Sequence, residues 1–68
     1  MTDIKIRIDV EYNGEHTTMF CKGIEVNELS KMIRGGRDTG FFYVNPNGSV
    51  VLIGSDVING GIITVCEE

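Results

Sequence analysis

From Ile4 to Tyr12 apolar and polar residues alternate without a break, with Ile4, Ile6, Ile8, Val10 and Tyr12 set against Lys5, Arg7, Asp9 and Glu11. A period of two predicts a strand with one face in the core and one in water. Asn13-Gly14 follows, the dipeptide best suited to a type I′ turn, in which both central residues need positive φ. So short a turn fixes the register of a second strand running from Glu15 to about Lys22. Tyr12 then faces Glu15, Val10 faces Thr17, Ile8 faces Met19 and Ile6 faces Cys21, which puts Met19 and Cys21 on the core side. On the solvent side Glu11 lies opposite His16, Asp9 opposite Thr18 and Arg7 opposite Phe20.

Further along, the period lengthens. Val26, Leu29, Met32 and Ile33 have helical spacing and predict a two-turn helix over 27–34. Asn27 is its expected N-cap, Glu28 suits the first turn, and Lys31 and Arg34 suit the last. Gly35-Gly36 is read as a left-handed stop. Phe41-Phe42-Tyr43-Val44 and Ser49-Val50-Val51-Leu52-Ile53 flank Asn45-Pro46-Asn47-Gly48, a type I turn closed by a glycine bulge. That turn pairs Val44 with Val50 and Phe42 with Leu52 on one face, and Tyr43 with Val51 and Phe41 with Ile53 on the other. Val57-Ile58 reads as a short extended piece, Asn59-Gly60-Gly61 as a tight turn, and Ile62–Cys66 as the last strand. The order is ββαβββ. It predicts a single α+β domain over residues 1–68, an antiparallel sheet with one short helix on one face. A curled sheet closing toward a small barrel is the variant that would bury both faces of the third and fourth strands.

Composition agrees with this reading. Ile and Val dominate the apolar residues, Leu occurs twice and Ala never, which excludes a helical bundle. An apolar content of 41% with a net charge of −4 excludes disorder. A chain of 68 residues buries only roughly 60% of its unfolded surface, so a partner or a second copy is a natural source of further stability.

Charge and cysteine narrow the function classes. Ten acidic residues oppose six basic ones and no basic run exists, so a grip on a phosphate backbone is not expected. The residues from Met1 to Lys5 have no apolar core of signal-peptide length, and no run approaches the ~18 residues of a membrane span. Cys21 and Cys66 are too few for a disulfide framework and read as small buried hydrophobes. The expectation is a cytoplasmic protein with reduced thiols and no membrane association.

Candidate chemistry is sparse. His16 is the single histidine, with Glu11 across the hairpin to orient it; an exposed pair of this kind usually adds well under ~1 kcal/mol, and no nucleophile–base motif accompanies it. No catalytic residue is assigned and no enzyme activity expected. A zinc site would need Cys21, Cys66, His16 and a carboxylate, but the hairpin register sends Cys21 and His16 to opposite faces, so neither metal nor cofactor is expected. Arg34 and Arg37 flank the glycine-rich loop after the helix, where forked guanidinium donors could grip an anionic ligand; the plainer reading is a helix stop and a turn.

Two surfaces remain. Asp3, Asp9, Glu11 and Glu15 gather acidity on the first hairpin, with Glu67-Glu68 beside them if the last strand joins that edge. Such a row could imitate phosphates for a basic partner, although Lys5 and Arg7 interrupt it. The hairpin from Phe41 to Ile53 is apolar on both faces, and one helix cannot cover both, so one face is expected to meet another chain. Phe41, Tyr43, Val51 and Ile53 are the expected contacts there, with Phe20 as an exposed aromatic elsewhere.

In size and acidity the chain resembles the small regulators and inhibitors made by phages and mobile elements, without a shared motif. The function expected is therefore a small acidic interaction module that regulates or inhibits a protein partner, which could itself bind nucleic acid. It would use Asp9, Glu11, Phe20, Phe41, Tyr43 and Val51, and would form a homodimer. The alternative is an oligomeric binder of a small anionic ligand or nucleotide through Arg34 and Arg37. A third reading is single-stranded nucleic-acid binding by stacking on Phe41, Phe42 or Tyr43, against which the acidic balance counts.

Overall fold

The alternating pattern of the first segment becomes the centre of the fold. In the computed structural model, which describes residues 4–68, β1 (Lys5–Tyr12) lies between β2 (Glu15–Lys22) and β5 (Ile62–Glu67) in a three-stranded antiparallel sheet. Asn13 and Gly14 have φ of 55° and 83°, as a type I′ turn requires, and every expected pair from Ile6–Cys21 to Tyr12–Glu15 is formed. β5 pairs Ile8 with Val65 and Val10 with Ile63, adding two aliphatic side chains to the inner face.

A second sheet consists of β3 (Phe41–Val44) and β4 (Val50–Ile53) alone, in the expected register. Asn45 N–H donates to the Ser49 carbonyl and Gly48 N–H to the Asn45 carbonyl, closing the turn, with Gly48 at φ 92°. The two sheets are separate, so the barrel variant does not occur. Between them and α1 (Val26–Arg34) lies one core: Ile6, Ile8, Val10, Cys21, Leu29, Ile33, Phe41, Val51 and Ile53.

Three local expectations are corrected. α1 begins at Val26 with Glu25 in the cap position and no side-chain cap bond, so Asn27 lies inside the helix and is not its cap. Gly35-Gly36 is not left-handed: Gly35 has φ −69° and the chain continues as a 3-10 turn over Gly35–Arg37, the positive φ falling later, at Gly40. Gly36 serves close packing instead, since a Cβ there would stand 3.1 Å from the Phe41 amide nitrogen and 3.0 Å from Ile58 Cδ1.

The third correction is a second helix, α2 (Ser55–Gly60), where an extended piece and a tight turn were expected. Local propensity in Val57-Ile58 is overridden by hydrogen bonding and packing. Val57 and Ile58 N–H groups both donate to the Gly54 carbonyl. Asn59 Nδ2 donates to the Ser55 carbonyl within the helix and to the Arg37 carbonyl at 2.7 Å, tying α2 to the turn after α1. Both Val57 and Ile58 then pack against the core.

Candidate functional site

The hairpin register sorts the side chains of β3–β4 onto two faces, of which one enters the core and the other meets solvent. Phe41, Val51 and Ile53 enter the core, and the half-buried Tyr43 packs against it while its hydroxyl donates to the Lys22 carbonyl. The opposite face, Phe42 with Leu52 and Val44 with Val50, stands in solvent; Leu52 is 70% exposed and the other three about half. One face of this hairpin is left uncovered, but it is the reverse of the expected one. Phe41 and Val51 are interior residues, and Tyr43 is engaged with β2. Both faces being apolar, the alternation along the chain held no polar residue to break the tie.

Asn45 anchors the hairpin against β2. The residue is 8% exposed, and its carboxamide fits between two backbone groups on the free edge of β2, accepting from Lys22 N–H at 2.9 Å and donating to the Phe20 carbonyl at 3.1 Å. A second Nδ2 contact reaches Ser49 Oγ at 3.1 Å. The amide thus satisfies a strand edge as a neighbouring peptide group would.

The acidic row is less available than its sequence suggests. Arg7 Nε lies 3.1 Å from Asp9 Oδ2, and Asp9 Oδ1 accepts from the Thr18 hydroxyl at 2.9 Å. β5 joins β1, as the acidic reading required, and brings Glu68 to within 3.3 Å of Arg7 Nη1. Asp9 first, then Cys66 and Glu68, push the Arg7 guanidinium above its ordinary pKa. Glu11 remains exposed, and Asp3 lies outside the described residues. His16 turns toward Asp9, with Nε2 3.7 Å from Oδ1, and not toward Glu11. Phe20 is 40% exposed, with the Lys5 ammonium 4.4 Å from its ring centroid, a cation–π contact.

The two cysteines occupy opposite faces of one sheet. Cys21 is fully buried opposite Ile6, and burial pushes its thiol up. Cys66 lies opposite Arg7 on the outer face and is only partly buried, its Sγ 3.6 Å from Arg7 Nη2, so it is not the core residue expected. Among the described residues no three His, Cys, Asp or Glu side chains converge, and no helix is long and apolar enough to cross a membrane.

Arg34 and Arg37 do come together. Both are exposed and border a cleft of about 270 Å³ whose apolar wall is Ile33, Ile58, Ile63 and Val65, between α1 and β5. The sequence sets both arginines on one loop but carries no sign that β5 stands beside them. No family model, curated protein or solved structure matches the chain.

Proposed function

We propose that the chain is a small interaction module that regulates or inhibits a protein partner, docking through the outward face of the β3–β4 hairpin. The observation that supports this reading most is the exposure of Phe42, Val44, Val50 and Leu52 together on one face. Contiguous apolar surface of this kind is rare on soluble monomers and marks interaction sites. The β3–β4 ladder fixes the backbone that carries the four side chains, which lowers the ordering cost of docking. The same face pairs two copies of the chain when no partner is present, because a two-fold contact buries one patch twice.

Affinity-tagged wild-type chain and a Phe42→Glu, Leu52→Glu double variant, both checked for folding, distinguish the outcomes. A partner that is retained by wild type, cross-links to the hairpin and is lost with the double variant supports the reading. Retention of the same partner by the double variant would place docking elsewhere.

A further inference from the structure

The two edges of the three-stranded sheet are finished differently. Glu68 N–H donates to the Lys5 carbonyl at 2.8 Å, which sets the phase of the β1–β5 ladder. Arg7, Asp9 and Glu11 therefore bond to Cys66, Thr64 and Ile62, and the backbone groups of Ile63 and Val65 turn away from β1. On the β2 edge the outward Phe20 carbonyl and Lys22 N–H are taken by Asn45 and the Lys22 carbonyl by the Tyr43 hydroxyl, so that edge is capped at its Phe20–Lys22 end. Among the described residues no strand pairs with the outer edge of β5.

The cleft that borders Arg34 and Arg37 runs beside that open edge, with the side chains of Ile63 and Val65 in its wall. Its 270 Å³ falls just below the ~300–1,000 Å³ of small-molecule pockets and suits single side chains of an extended segment. Neither arginine has a carboxylate within ion-pair distance among the described residues, although acidic residues outnumber basic ones in the chain. Arg34 sits at the negative end of α1, so the attraction for anions there rests on the guanidinium groups, whose forked donors match carboxylates.

We propose that the β5 edge and this cleft take an extended acidic peptide. Its backbone pairs with Ile63 and Val65, its alternate apolar side chains enter against Ile33 and Ile58, and its carboxylates reach Arg34 and Arg37. This surface is distinct from the β3–β4 face and stands whether or not that face docks a partner.

The test is an amide NMR titration of the full chain with a seven-residue synthetic peptide alternating valine and aspartate. A valine–lysine peptide and inorganic phosphate serve as the other arms. Expected are shifts and slowed hydrogen exchange at Ile63 and Val65 with the aspartate peptide. Arg34→Glu and Arg37→Glu should each weaken that binding about tenfold while leaving the dispersed spectrum of the folded chain. The proposal is overturned by absence of binding at millimolar peptide or by equal binding of the lysine peptide. Shifts confined to Phe42 and Leu52 would overturn it too, and so would phosphate reproducing the response at Ile63 and Val65, which would make the cleft a small-anion site.

Discussion

Asn45 accepts a 2.9 Å hydrogen bond from the backbone N–H of Lys22, so a side-chain amide beside a turn caps the end of a strand edge twenty-three positions earlier. The bond holds the turn of the hairpin against β2, while Phe41, Val51 and Ile53 from the same hairpin enter the core. Asn45→Ala should leave Lys22 N–H and the Phe20 carbonyl without that partner and destabilise the domain by about 1–3 kcal/mol. Chemical denaturation measures this, and an unchanged midpoint would show that water replaces the amide at no cost.

The first turn is equally specific. Asn13 and Gly14 both hold positive φ, and alanine in that region costs about 1–2 kcal/mol per residue. Replacing both by alanine should lower the thermal midpoint markedly, since a small domain has little stability to spare. A melting curve that superimposes on wild type would contradict the turn.

Thiol chemistry reports on the two faces of the central sheet. Cys66 should react with an alkylating agent in the native state and Cys21 only on unfolding. Mass spectrometry after a short native pulse reads the difference, and rapid labelling of Cys21 would contradict the β1–β2 register.

The buried thiol also carries a pH dependence. Because burial pushes Cys21 up, the folded state keeps its proton at pH values where the unfolded chain loses it. The stability it contributes is complete below the ordinary thiol range and is lost as pH rises through that range toward the raised folded value. Wild type should therefore lose stability relative to Cys21→Val on going from neutral to alkaline pH. Parallel denaturation profiles for the two would contradict the burial of this side chain.

The first hairpin was legible from sequence because strict alternation and an Asn-Gly turn agree on a single register. β3–β4 was legible only in part. Its turn and pairings follow from Asn45–Gly48, but Phe41–Val44 and Val50–Ile53 are apolar at every position, and burial was decided by contacts with β2 distant in sequence. α2 is not legible in the sequence because Val57-Ile58 favours a strand locally, while the bond that locks Asn59 to Arg37 exists only once α1 and its following turn are in place. The cleft at Arg34 and Arg37 was half visible for the same reason: its other wall is supplied by β5, about thirty residues on.

On the proposed reading, the exposed face carrying Phe42, Val44, Val50 and Leu52 meets another chain. Fully burying one such side chain is worth ~1.5–3 kcal/mol, a large share of a small domain's total stability. Light scattering at micromolar concentration tests the claim most directly. Wild type is expected to be a homodimer, and Leu52→Glu is expected to be a folded monomer with the same circular dichroism. A wild-type chain that is monomeric and binds no hydrophobic dye would contradict it.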